Sequence, residues 1–398
     1  MALDHDVALH TGTTGLRLDV WDAYDIALDM LQPGSPFAFT LWKSATREAA
    51  WSVLRENVRL GDRMFFSIDG ATQMNGLIEE IEGRADRRGG IGLALSGRDL
   101  AGPAISWDAD PASRLKGKPL DEALSTLFAP LGIGVRIGVR AQAAREVQWG
   151  TRRGPRAVTS ERRRKVVDFS HPRPGEKVWQ VAEAIVRRLG YLLWTAPDAD
   201  EGLSVVVDAP DYTSAPRYAF TRRWLDGNVT ADSNVLDSRY TISLRDVPTE
   251  VNVYAWSARG DVVSARSSSV ALNAPLRNPD VTGGYVVNDL LTQPRHIRAT
   301  RARTLDACQK VAERAIADAN QRLRVYQVTV QGHGQPTDGE PNLYAVNTLA
   351  RVADEDWGIS EDMLVTRVQF RGSREQGRTT VLSLVPKGSI VVTTDTET

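Results

Sequence analysis

With 398 residues, 42% of them apolar and 25% charged, the chain has the composition of a globular protein of roughly two to four domains, which excludes a disordered segment or a fibre. A formal charge of −1 excludes a dedicated nucleic-acid or membrane-surface binder. The single cysteine, Cys308, excludes an intramolecular disulfide framework; no basic-then-apolar start and no apolar run of about 20 residues is present, so the expectation is a chain that folds in a reducing cytoplasm without membrane insertion.

In residues 1–100 the side chains alternate with the period of a strand over 16–20 and 37–42, separated by the breaker cluster Gln32-Pro33-Gly34-Ser35-Pro36. The spacing predicts a further strand over 63–68 turning at Asp69-Gly70, a dipeptide suited to tight hairpins, and a hairpin built from 77–82 and 91–96. Short strands at this density predict a barrel or sandwich.

Residues 101–225 read as small α/β modules inserted into a β protein. Pro119-Leu120-Asp121-Glu122 opens a helix carrying Leu120, Leu124, Leu127 and Leu131, with proline and acids where a helix N-terminus favours them. A strand over 135–139 leads into a polar stretch, 140–165. A second helix begins near Pro174-Gly175-Glu176, shows Val178, Val181, Ala182, Ile185 and Leu189 on one face, and stops at Gly190. Strands over 191–195 and 203–207 follow.

From 226 to 390 the β pattern returns, with strands over 239–244, 250–256, 325–331, 347–352, 363–371 and 379–385. Residues 258–296, rich in Ser, Asn, Pro and Gly, predict a long loop. A third helix over 304–322 has Leu305, Cys308, Ala312, Ala315, Ile316 and Ala319 as its inward stripe, and residues 391–398 read as a loose tail. Residues 77–96 can be laid without a gap on 364–383, with Leu77/Leu364, Arg84/Arg371, Arg87/Arg374, Gly90/Gly377, Leu95/Leu382 and Ser96/Ser383 identical. This repeat predicts two related β units, one near each end.

Residues able to carry chemistry are sparse. His5 and His10 lie close together, beside Asp4 and Asp6, in a spacing that fits no metal signature, and His333 in Gly332-His333-Gly334 reads as a turn residue. Cys308 reads as a buried small hydrophobe. Glu79-Glu80 would point to opposite faces of a strand and so could not form a facing acid pair, and Asp354-Glu355-Asp356 reads as a solvated turn. No phosphate-cradling glycine loop, Cys-x-x-Cys pair or nucleophile elbow occurs, so neither a catalytic residue, a metal site nor a cofactor is expected.

Four stretches taken in order resemble the baseplate hub proteins of Mu-like phage contractile tails and related contractile injection systems: IGLALSGRD at 91–99, HPRPGEKVWQVAEAIVRRLGYLLW at 171–194, NVLDSRYTISLR at 234–245, and the closing strands from Thr329-Val-Gln-Gly-His333 through Asn342-Leu-Tyr344, Val352-Ala-Asp354 and Met363-Leu-Val-Thr-Arg-Val368 to Leu382-Ser-Leu-Val-Pro386. The stretches 140–165 and 258–296 match nothing in that pattern, and the 342–344 region lacks its proline and tryptophan. The resemblance implies a mainly β fold with inserted α/β modules and two tail-tube-like β-barrels per chain, over 1–100 and 226–390, arranged as a pseudo-sixfold ring in a homotrimer. It further implies a non-enzymatic hub joining the tail tube protein to the central spike protein, in contact with the tape-measure protein and passed by DNA through its bore. The baseplate of a virion or injection particle, assembled in the host cytoplasm, is the implied location. The rival readings are a hub-associated cell-wall hydrolase, which needs a facing acid pair or metal triad, and a polysaccharide-binding β-protein. In 140–165, nine Arg or Lys (Arg140, Arg145, Arg152, Arg153, Arg156, Arg162, Arg163, Arg164, Lys165) stand against Glu146 and Glu161. Because a DNA conduit should not grip its cargo, Arg152, Arg153, Arg162, Arg163, Arg164 and Lys165 are expected to dock on an acidic subunit or partner surface.

Overall fold

Strand alternation recurs along the chain, and the protein is mainly β. The computed structural model describes residues 6–390, apart from 12–16, 19–20, 45–47, 87–89, 144–170, 198–201, 226–227, 244–247, 249, 257–261, 269–293, 299–304, 321–323, 338–339 and 374–376. The N-terminal strand set comprises β1 (Val7–Thr11), β2 (Arg17–Leu18), β3 (Ala23–Asp29), β4 (Pro36–Trp42), β5 (Arg63–Ile68), β6 (Ala71–Asp86) and β7 (Gly90–Asp99). Between β4 and β5 lies a helix the strand pattern concealed, α1 (Glu48–Asn57), which buries Trp51 and Leu54 at i, i+3 spacing.

The inserted region carries α2 (Gly102–Ser106), α3 (Leu120–Phe128), β8 (Gly134–Ile137), α4 (Val139–Ala143), α5 (Val178–Arg188), β9 (Leu192–Pro197) and β10 (Leu203–Asp208). Helix α3 buries Leu120, Ala123, Leu124, Leu127 and Phe128, an i, i+3, i+4, i+7, i+8 stripe. That stripe packs with Val181, Ala182 and Ile185 of α5 and with Val205 and Val207 of β10 into a core of its own. Central β10 runs parallel to β8 and antiparallel to β9.

The C-terminal set holds β11 (Tyr218–Arg222), β12 (Trp224–Leu225), β13 (Asn228–Val229), β14 (Val235–Ile242), then β15 (Glu250–Trp256), β16 (Val262–Ser268), β17 (Pro294–Arg298) and α6 (Leu305–Asn320). It ends with β18 (Arg324–Gln331), β19 (Gly334–Thr337), β20 (Glu340–Leu343), β21 (Thr348–Asp354), β22 (Ile359–Ser373) and β23 (Gly377–Pro386). Strands β16 and β17 correct the expected loop over 258–296: β16 is Ser-rich but pairs along its whole length with β15, so tertiary pairing overrides weak local propensity. The rest of that stretch, 258–261 and 269–293, lies outside the described residues, as does the tail 391–398. Cys308 is buried in the small core where α6 covers β15, beside Val251, Val253, Ala312 and Ile316.

Strands of both sets form one sheet in the order β14-β18-β23-β22-β3-β4-β7-β6-β5-β1-β2, with β21 also on β22 and β11 on β21, while β12-β13, β16-β15-β17 and β19-β20 form small sheets of their own. No sheet among the described residues closes on itself. A single apolar core runs beneath both sets, uniting Ile26, Phe37, Phe39 and Phe66 with Tyr326, Val328, Val365, Phe370 and Leu382.

Candidate functional site at the seam of the repeat

The sheet contains one strand order twice. From β3 the order is β3-β4-β7-β6-β5-β1; from β14 it is β14-β18-β23-β22-β21-β11. All pairings are antiparallel in both, except that β1 runs antiparallel to β5 while β11 runs parallel to β21. Laying 77–96 on 364–383 brings the ladders into coincidence too. The end pair Asp86–Gly90 of β6/β7 matches Ser373–Gly377 of β22/β23, and both glycines have positive φ, 83° and 70°. Each ladder slips once, between Ile78 and Glu80 in β6 and between Val365 and Arg367 in β22, and these are equivalent positions. The bulge residue, Glu79 or Thr366, bends the strand and raises its twist at the same place in both copies.

The bulge also corrects the reading of Glu79-Glu80. The extra residue breaks alternation, so both acids reach one face. Glu79 takes two hydrogen bonds from Arg98, at 2.8 and 2.7 Å, and Glu80 accepts from Ser96 Oγ at 3.2 Å. Both are hydrogen-bonded on an exposed face and flank no cleft.

The two sets meet where β22 pairs with β3, from Arg367 opposite Asp29 to Ser373 opposite Ala23. On the outer face Asp25 accepts from Gln369 Nε2 at 2.5 Å and faces Arg371 Nε at 3.4 Å. On the inner face Phe370 stands opposite Ile26, both fully buried. Gly372 stands opposite Tyr24, and a Cβ there would lie 2.2 Å from the Tyr24 ring, so only glycine admits the phenol. Tyr24 then reaches His333, which lies in the bend between β18 and β19, as expected of a turn residue, yet is wholly buried: Gly332, at φ 76°, turns the chain so that the imidazole enters the core. The Thr380 hydroxyl donates to Gly332 O at 2.7 Å, so at 3.0 Å it accepts from His333 Nδ1; His333 Nε2 is thereby left to accept from the Tyr24 hydroxyl. Burial pushes the Tyr24 phenol well above its ordinary range, which keeps it a donor.

One carboxylate ties the inserted region to this sheet, and a second braces the inserted region internally. Asp99 at the end of β7 is buried; it accepts from Ser35 N at 3.1 Å, Ala101 N at 3.0 Å and Thr195 Oγ1 of β9 at 2.6 Å. Burial pushes its pKa up to about 6 against the opposing pull of those donors and of Arg98. Asp211 meets Arg140, which also contacts Asp208 at 3.3 Å. Burial alone would raise Asp211, but Ser214, Arg140 and the Thr213 amide outweigh it and hold the carboxyl below the usual range. Arg140, the first cation of the basic stretch, is thus an internal tie.

The other expected docking residues, Arg152, Arg153, Arg162, Arg163, Arg164 and Lys165, lie outside the described residues, and so does His5. His10 sits 3.2 Å from Ser67 Oγ on β5. Asp354 is a correction: it is buried at the end of β21 on the same inward face as Ala350 and Val352, accepting from Tyr326 Oη at 2.7 Å and from the Asp356 amide at 2.9 Å. Burial, reinforced by that carboxylate, pushes the Tyr326 phenol far up. Among the described residues no three His, Cys, Asp or Glu gather as metal ligands, and no helix is long and apolar enough to cross a membrane. A small pocket between α1 and the sheet is lined by Leu9, Trp21, Leu41, Leu54, Leu93 and Leu95 with Thr40 as its polar member, so it lacks the convergent polar groups of a substrate site. The buried Tyr24–His333–Thr380 chain and the Asp99 knot were not singled out from sequence; their one sequence signal is polar side chains at inward strand positions.

The chain shares its fold with solved tail proteins. The chain is similar to the tail protein from Neisseria meningitidis MC58, at 23% identity over 98% of each chain with a TM-score of 0.72. It is likewise similar to the 43 kDa tail protein of prophage MuSo2 from Shewanella oneidensis, at 17% identity over 97% of this chain and 100% of that one, TM-score 0.70. A chain of the half-lidded Francisella PdpA–VgrG complex aligns at 6% identity over 99% of this chain and 60% of that one, TM-score 0.51. No family model matches the sequence, and no curated protein matches it.

Proposed function

We propose that the protein is a structural baseplate hub, a homotrimer that joins the sixfold tail tube to the threefold central spike and forms part of the tail conduit, without catalysing a reaction. The observation that carries this reading is the repeated six-strand order with its bulge at equivalent positions. A chain holding two like units presents six in a trimer, so a threefold body can meet a sixfold tube. In this reading residues 1–100 form one tube-like β-barrel unit, residues 226–390 together with β11 (Tyr218–Arg222) form the other, and the rest of 101–225 is the inserted modules that hold the spike side. The relation to a VgrG complex supports a spike partner; the tube protein and the tape-measure protein are the remaining neighbours, and DNA only passes through. The hydrolase alternative is not favoured, since Glu79-Glu80 is occupied by Arg98 and Ser96 and Asp354 is enclosed.

Mass measurement and electron microscopy of the purified full chain test this: a trimer with an open bore and six tube-like units around it is the expected result, and a stable monomer contradicts it. The basic stretch is part of the same proposal. Reversing Arg162, Arg163 and Arg164 to glutamate should weaken hub assembly by tenfold or more, on the order of 1.4 kcal/mol, at about 0.1 M salt, with the gap narrowing as screening increases. Unchanged assembly in sedimentation runs of the triple variant removes docking as the role of that stretch.

A further inference from the structure

The two β units differ at one end. In the first, β5 turns into β6 through Asp69-Gly70; in the second, β21 turns into β22 through the longer Glu355-Asp356-Trp357-Gly358. The described side chains at that end of the first unit are polar: Asp6, Arg17 and Asp69 are exposed, with Arg17 on Asp6 at 2.6 Å and the Asp6 amide donating to Asp69 Oδ1 at 2.8 Å. The second unit instead exposes Trp224 (41%), Leu225 (68%), Val229 (44%), Leu236 (53%) and Trp357 (46%).

Arg222 gathers these side chains into one patch. Its guanidinium pairs with Asp356, next to Trp357, lies 5.7 Å from the centre of the Trp224 ring and donates to Leu236 O at 3.4 Å. The Trp224 amide donates to Glu355 Oε2 at 2.9 Å, β12 pairs Trp224 with Val229, and Trp357 Nε1 donates to Ser238 Oγ at 3.0 Å. Leu236 is the bulged residue of β14, without an opposite number on β18. Arg223 and Asp232, paired at 3.3 Å and half exposed, edge the patch with charge, as a polar rim edges a contact. The apolar surface is therefore held in place before anything covers it, which lowers the ordering cost of binding.

Area and symmetry say what covers it. Five side chains exposed to this degree offer on the order of 400 Å² of apolar surface. One patch falls short of the roughly 800 Å² per side of a stable interface, whereas three patches exceed it. The patch occurs once per chain, so a trimer carries three, alternating with three polar ends. A sixfold tube would meet unlike ends by turns and could not bind them alike; a threefold body meets three identical platforms. We propose that Trp224, Leu225, Val229, Leu236 and Trp357 form the platform on which the threefold spike docks, each spike chain setting an apolar anchor on one copy. This rests on the hub reading and names the surface that serves it. The inserted region, which that reading puts on the spike side, leaves the sheet at this end too: β7 finishes at Asp99, opposite Gly76 of β6, and β6 begins at the Asp69-Gly70 turn.

Photocrosslinking in assembled tail particles tests this. With p-benzoylphenylalanine in place of Leu225, irradiation should link the hub to the spike chain, identified by mass spectrometry; the same group in place of Asp69, on the first unit, should not. Leu225→Ser with Val229→Ser gives a second readout. The purified chain should stay a trimer, since both side chains are exposed, while spike retention in particles falls by roughly tenfold or more. A link from position 225 to the tube protein or to another hub copy, no link at all, equal linking from position 69, or a double variant that keeps its spike overturns the platform and leaves the hub reading standing. A chain absent from tail particles overturns both.

Discussion

Replacing Asp99 by alanine should cost the fold about 3 kcal/mol in urea unfolding at pH 7, and more at pH 5. The carboxylate is the shared acceptor for the Ser35 and Ala101 amides and the Thr195 hydroxyl, which come from the N-terminal sheet, the segment leaving it and the inserted α/β region. Each buried donor left unmet costs about 1–3 kcal/mol. Part of that loss is offset at neutral pH, because the wild-type carboxyl is itself disfavoured there when ionised. Its folded pKa, pushed up to about 6 by burial, lies above the unfolded aspartate value of about 3.9. A raised acid contributes stability that is fully present below the unfolded value and is lost as pH rises through the folded one. From pH 5 to pH 7 the wild type should therefore lose about 1 kcal/mol through this group, and the alanine variant none of it. Asp99→Asn, neutral at both pH values, should flatten the same difference. Equal wild-type and variant pH slopes would show that Asp99 does not titrate in this window.

Much of this architecture is legible from residue patterns, because its signals are periodic. The stripe Leu120, Leu124, Leu127 and the run Val178, Val181, Ala182, Ile185 fall on α3 and α5, and the gapless match of 77–96 to 364–383 extends to the paired bulges. What resists reading is set by partners distant in sequence. Helix α1 hides in a strand-rich stretch, since its Trp51 and Leu54 gain meaning only in the core they share with Leu9 and Leu93 of the sheet. Strand β16 has the composition of a loop and becomes a strand through β15. His333 and Asp354 look like turn residues because glycine and acidic neighbours surround them, while their partners Tyr24 and Tyr326 lie 309 and 28 residues away. A bulge cannot be seen in alternation, which is why Glu79 and Glu80 share a face. Of the cationic residues in the 140–165 stretch, Arg140 lies among the described residues, and it forms an internal ion pair.

His333→Ala should lower stability by about 3 kcal/mol, and the loss should not add to that of Tyr24→Phe. The imidazole is the acceptor for the Tyr24 hydroxyl, the donor to Thr380, and an edge-on neighbour of Phe370 at 5.2 Å between ring centres. Removing it orphans a buried phenol, for about 1–3 kcal/mol, and leaves a cavity beside the β22–β3 ladder that adds to the cost. Tyr24→Phe deletes only the hydroxyl and should cost about 1 kcal/mol. With the phenol already gone, His333→Ala no longer leaves it unmet, so the double variant should fall short of the sum by about 1 kcal/mol or more; strict additivity in chemical denaturation would dissolve the proposed chain of donors.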